Sequence, residues 1–332
     1  MYTNKEIWNV SYPIFLGLLA QNIINVTDTA FLGRVGEVEL GASAMGGLFY
    51  ICVFTIAFGF SVGSQILIAR RNGEGRYKDV GPVMIQGGTF LLGLAVLMFG
   101  LTHLLAPSIV RLLISSDSIF DATMEFLNWR IWGFFFAFVN VMFRALYIGI
   151  TRTKVLTMNA VVMALVNVLL DYILIFGKFG MPEMGIKGAA VASVMAEAAS
   201  LAFFLIYTYA KVDFKKFGLN HWQKIDFSLL GKILSISCFT MIQYFLAMAT
   251  WFVFFIAIER LGQRELAIAN IVRSIYIVML IPVQALSTTT NSLVSNLIGA
   301  GGDNPCHAFD LAYSPDVVSH YGGLCGGGGA FS

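Results

Sequence analysis

Charge is what this chain has least of. Of 332 residues only 12% are Asp, Glu, Lys or Arg and the net charge is +2, whereas an ordinary soluble domain carries about 25% charged residues. A water-soluble fold is excluded on that ground, and with no basic patch so is a nucleic-acid partner. Cysteine numbers four. Cys52 and Cys238 fall inside apolar runs, Cys306 and Cys325 near the C-terminal end, and no pair has zinc-ligand or redox spacing, so all four read as packing residues. There is no HExxH and no phosphate-cradling glycine loop. An enzyme is therefore not indicated, no cofactor is implied and no obligate protein partner is evident. The N-terminal stretch Met1 to Trp8 lacks a signal-peptide cleavage site, and the apolar run that follows is too long for a signal sequence.

What the chain has in abundance is apolar length. Hydrophobic residues make up 58% of it, in runs long enough to cross about 30 Å of hydrocarbon. Eight spans are expected, roughly 10–33, 44–69, 82–106, 126–150, 155–177, 185–210, 229–258 and 266–298. Backbone groups in lipid must be satisfied within their own segment and none of the runs alternates with period two, so the spans are helices. The expected fold is an all-α polytopic membrane protein. The loops after even-numbered spans hold ten Lys and Arg and those after odd-numbered spans six, which puts the N-terminus and the even loops in the cytoplasm of a multi-pass protein of the cytoplasmic membrane.

The chain also repeats itself. An offset of 226 residues lays 34–75 on 260–301 without a gap, pairing RVGEVEL with RLGQREL, Ser61 with Ser287 and Gly73 with Gly299. Six spans separate the copies, an even number, so both copies have the same orientation, as in transporters built from parallel halves. Residues 1–215 are then a complete six-helix N-lobe and 216–301 the first two helices of a second lobe. The remaining 302–332 contains no Lys or Arg and seven glycines. It reads as a disordered Gly-rich tail outside the protein's own frame, with four further helices of the second lobe expected.

Ionisable groups within spans are expensive and mark function by default. Gln21, Asn25 and Asp28 share one face of the first span, Asn167 and Asp171 one face of the fifth, and Ser193, Glu197 and Ser200 one face of the sixth. At about 1.5 Å of rise per residue, Asp28 and Asp171 lie at similar depth. Two carboxylates facing each other away from water cannot both stay ionised cheaply, and a proton or a sodium ion relieves the conflict. Asn167 and Ser193 could offer neutral oxygens to a hard cation. Gln21, Asn25, Asn140, Glu197 and Gln243 are candidate cavity-lining residues. Arg144 and Arg273 are accounted for by snorkelling or pairing. Pro13 either kinks the first helix or sits harmlessly in its first turn.

These residues carry a resemblance. Pro13 and Gln21 with Asp28-Thr29-Ala30-Phe31-Leu32-Gly33-Arg34 and GEVELGA, then GFSVGSQILIARRNGEG, FRALYIGITRTK, and Asn167-x3-Asp171 followed by GIKGAAVASV resemble the MATE (multidrug and toxic-compound extrusion) transporters from residue 8 to about 301. The resemblance implies twelve helices in two lobes, with membrane lipid around them. It implies export of small amphipathic, cationic or toxic compounds coupled to inward flow of H+ or Na+. Asp28, Asn167 and Asp171 match the family's N-lobe cation site, and would be the Na+ ligands if sodium couples. Ser193 matches a Thr or Ser there, and Pro13 the proline at which the first helix bends. The repeat sets Phe254 opposite Asp28, so the second lobe lacks the carboxylate that members with a C-lobe site place in the seventh helix. Two alternatives stay open: a lipid-linked oligosaccharide flippase of the wider superfamily, and an inactive truncated product.

Overall fold

A computed structural model describes residues 3–114, 116–220, 226–259 and 263–301; the tail assigned to 302–332 lies outside the described residues. Those residues form ten α-helices: α1 (Asn4–Val35), α2 (Glu37–Gly73), α3 (Val80–Leu113), α4 (Asp117–Arg130), α5 (Gly133–Gly149), α6 (Lys154–Ile175), α7 (Gly185–Lys211), α8 (Phe214–Phe217), α9 (Phe227–Glu259) and α10 (Gln263–Gly299). Seven helical spans are long and apolar enough to cross a membrane, and the bent pair α4–α5 makes an eighth. The protein is a multi-pass, all-helical membrane protein.

Helix α1 starts on a reciprocal cap. The Thr3 backbone N–H donates to Glu6 Oε2 at 2.8 Å while the Glu6 N–H donates back to Thr3 Oγ1 at 3.4 Å, so exposed end groups find partners. Pro13 is the tenth residue of α1, beyond the first turn, and the helix runs on unbroken through it. Its carbonyl accepts a hydrogen bond from Thr157 Oγ1 on α6 at 2.8 Å.

The expected fourth span, 126–150, is the one that differs. The helix begins nine residues earlier, at Asp117, and breaks at Ile131 and Trp132, where α4 and α5 meet at 54°. No proline lies at the break. A Cβ at Gly133 would collide with the Arg130 guanidinium and with Glu197 Oε2, and would stand 3.0 Å from the Tyr50 hydroxyl. The buried polar cluster therefore leaves no room for a side chain at this position beside the break.

Helix α2 is the hub, packed on α4, α5, α9 and α10, while α6 packs on α1 and α7. Where α2 and α10 end together, the contact is reciprocal. A Cβ on Gly73 would strike the Asn296 carbonyl, and a Cβ on Gly299 would strike the Arg70 carbonyl. The 226-residue offset pairs Arg70 with Asn296 and Gly73 with Gly299. Contact of i with j together with the equivalent of j with that of i is what a two-fold rotation produces. Around this clasp the Asn72 amide donates to Asn296 Oδ1 at 2.7 Å, the Asn296 amide to the Gly149 carbonyl at 3.0 Å, and Ser292 to the Ile148 carbonyl at 2.6 Å.

Candidate functional site

Among the described residues, two polar clusters and a main cavity lie inside the bundle. The first cluster joins α1 and α6. Asn167 is 1% exposed and Asp171 0%, and half-buried Asp28 interacts with both of them and with the charge of Arg130. Asp28 sits seven residues before the end of α1 and Asp171 four before the end of α6, about 10 Å and 6 Å along the axes. Asp28 Oδ1, both carboxylate oxygens of Asp171 and both amide atoms of Asn167 are buried without a hydrogen-bond partner. A buried polar atom normally has one; four of these five are oxygens, gathered from two helices, and the fifth is the Asn167 N–H donor. Among the described residues no group of three or more His, Cys, Asp and Glu side chains is placed to hold a metal ion. Two carboxylates and an amide oxygen suit a hard monovalent cation or a shared proton instead.

The second cluster is tied across α2, α4, α5 and α7. The Glu197 carboxylate accepts Arg130 Nη1 on Oε2 at 3.0 Å and Nη2 on Oε1 at 2.6 Å, a two-pronged pair. The Tyr50 hydroxyl stands 3.0 and 3.1 Å from the same two oxygens, and its ring lies 3.6 Å beneath the guanidinium. The Asn140 amide donates to the Glu197 backbone carbonyl at 2.9 Å. Arg130 is thus ion-paired with Glu197, and its charge also acts on Asp28.

A cavity of about 530 Å3 opens between α1, α2, α5, α6, α7, α9 and α10, a size that suits a drug-like molecule. Three of the expected lining residues, Gln21, Asn140 and Glu197, border it. Two do not. Asn25 is exposed on α1, and the exposed Gln243 yields its expected place to Tyr244. Ser193 is half-buried and is not among the groups with which Asp28 or Asp171 interacts. Ser200, grouped with Glu197 by helical spacing, instead pairs with Asn159: its hydroxyl donates to Asn159 Oδ1 at 2.8 Å and its carbonyl accepts the amide at 2.9 Å.

Arg144 also differs from its expected role. It does not snorkel to a membrane face but borders the cavity, 5.4 Å from the Phe58 ring. The side chain of Arg273 lies outside the described ones. Arg130 and Tyr50 were not singled out from the sequence, although an arginine inside the WRIWG segment of an apolar run is a signal of the kind that marks intramembrane sites.

The described residues thus form a multi-pass helical membrane bundle with a drug-sized cavity and a separate buried carboxylate pair. The MatE family model matches residues 13–173. The chain is 24% identical over 311 residues to "Probable multidrug resistance protein NorM" of Idiomarina loihiensis, covering 90% of this chain and 65% of that protein. It is 29% identical over 212 residues to the protein of the same name from Agrobacterium fabrum, covering 62% of this chain and 44% of that one. The chain thus spans less than two thirds of the length of these relatives. Among solved structures, a multidrug resistance MATE family transporter in an outward-facing conformation superposes with a TM-score of 0.82 at 18% identity, over 97% of this chain and 76% of the other. A MOP superfamily transporter from Pyrococcus furiosus gives 0.84 at 18%, over 96% and 69%. By these matches the chain is similar to the MATE family, whose model covers just under half of it, and shares the fold of the solved MATE structures.

Proposed function

We propose that the protein exports amphipathic, drug-like small molecules across the cytoplasmic membrane in exchange for H+ or Na+, with its N-terminus in the cytoplasm. The observation that carries this reading is the Asp28, Asn167 and Asp171 cluster, whose five buried atoms lack partners, set apart from the drug-sized cavity. Asp28 and Asp171 would hold the coupling ion with the Asn167 oxygen. Their like charges make the empty, fully ionised pair costly, so the site is driven to take up a cation.

Arg130 supplies the link between ion and cargo. Its charge acts on Asp28, and its two N–H groups hold the cavity-lining Glu197. Occupation of the ion site changes the field at Arg130 and with it the position of Glu197 at the cavity wall. The α2–α10 clasp closes the cytoplasmic end in this arrangement, and its loosening admits cargo from that side. The similarity to multidrug resistance proteins supports the choice of cargo.

The test is reconstitution of the 332-residue protein in liposomes and measurement of the movement of two probes, the cation ethidium and a fluorescent fluoroquinolone that bears a carboxylate, under an imposed proton or sodium gradient. Gradient-driven transport is expected, with D28N and D171N each losing it. Transport of equal rate in both variants overturns the coupling assignment, and no transport by the unaltered protein overturns export.

A further inference from the structure

The cavity's charge is opposite in sign to that expected of a site for cations. Its acid, Glu197, is already held by Arg130. Its other charged group, Arg144, has no such partner: among the described residues no ion pair or hydrogen bond includes it, and its recorded neighbours are the Phe58 ring and the Tyr244 hydroxyl. A guanidinium cannot shed its proton to escape burial. Taken from water without a counter-charge it is costly to keep, and five N–H groups in a planar fork match a carboxylate with two parallel hydrogen bonds.

The surroundings continue the pattern. Arg144 borders both the main cavity and a recess of about 40 Å3 beyond it, where Ser61, Gln65, Ser287 and Asn291 stand at the α2–α10 seam. The repeat offset pairs Ser61 with Ser287 and Gln65 with Asn291, so the recess lies on the pseudo-two-fold axis. The main cavity is walled by the rings of Phe54, Phe58, Phe204 and Tyr244, of which Phe58 and Tyr244 also border the recess. A cation in an aromatic-walled chamber, with no unpaired acid among the described lining residues, suits a flat apolar body that ends in an anionic group.

We propose that the cavity takes amphipathic aromatic molecules bearing a carboxylate, seated on Arg144, in place of purely cationic ones. This rests on reading the cavity as the cargo site, and it names the class of cargo.

The experiment is equilibrium binding to the 332-residue protein in phosphatidylcholine nanodiscs, with empty nanodiscs subtracted. Three fluorescent probes share one ring system: pyrenebutyrate, pyrenebutanol and pyrenebutylamine. The carboxylate should bind about tenfold or more tightly than the alcohol, and the amine most weakly. R144Q should abolish the carboxylate preference while changing alcohol binding less than about twofold, and R144K should restore part of it. Equal binding of carboxylate and alcohol, tighter binding of the amine, or an unchanged preference in R144Q overturns the proposal. Loss of the preference when phosphatidylglycerol replaces part of the lipid also overturns it, assigning Arg144 to a lipid phosphate. If R144Q does not fold, the order of the three probes on the unaltered protein and on R144K decides. Binding is read without an ion gradient, so a failure of export leaves this result standing, and a failure here leaves export of neutral or cationic cargo intact.

Discussion

Replacing Arg130 with methionine keeps most of the side-chain volume and removes the charge, leaving the Glu197 carboxylate 7% exposed with only the single Tyr50 hydroxyl hydrogen for its two oxygens. Two unit charges about 4 Å apart attract by about 4 kcal/mol at an effective dielectric constant of about 20. Breaking a buried pair by removing one partner typically costs about 3–5 kcal/mol, because the survivor stays desolvated. Loss of about 3–5 kcal/mol is therefore expected for R130M. R130K keeps the charge but forfeits the second parallel N–H, so it should lose less, about 1.5–3 kcal/mol for one charged hydrogen bond. The double variant R130M/E197L removes both charges and refills the space, and should be far more stable than the sum of the two single losses predicts. The assay is reversible unfolding in mixed micelles followed by tryptophan fluorescence. An R130M loss below about 1 kcal/mol, or single-variant losses that simply add in the double variant, would refute the reasoning, since either means that the pair is not desolvated and coupled as the geometry requires.

The same cluster predicts that G133A, a change that normally favours a helix, destabilises by about 1–3 kcal/mol through overpacking against Arg130 and Glu197; an unchanged unfolding midpoint would show that the break tolerates a side chain. At the clasp, a short bifunctional thiol reagent should bridge N72C and N296C, whose native side chains are hydrogen-bonded at 2.7 Å, and adding G73V should sharply reduce the bridged fraction by forcing α2 off the Asn296 backbone. An equal yield with and without G73V would mean that the glycine contact does not set the helix separation.

Much of this protein is written in its order of residues. The eight spans follow from run length alone, because a backbone in hydrocarbon has few ways to satisfy its polar groups. The seventh, expected at 229–258, is observed as Phe227–Glu259. The likeness of 34–75 to 260–301 anticipates two elements with one geometry, and the Gly73 and Gly299 contacts display it. Asp28, Asn167 and Asp171 could be selected from sequence because each is costly in lipid and each sits at a computable depth.

What only tertiary structure decided is which polar groups meet. Glu197 has Ser193 and Ser200 as its helical-face neighbours by spacing, yet its partner is Arg130, 67 residues away on another helix. The pair sits beside the break in the fourth span, a feature invisible to apolar run length, since the break falls at the apolar residues Ile131 and Trp132. Gln243 and Tyr244 are adjacent in sequence, and only the rotation of α9 against α2 and α10 determines which one reaches the cavity. Arg144 is the sharpest case. An arginine in a span reads the same whether it snorkels, pairs or waits for a ligand, and the difference lies wholly in what packs around it. Hydrophobic length specifies that a helix crosses the membrane, whereas rotation about its axis and the identity of its neighbours come from packing between helices distant in the chain.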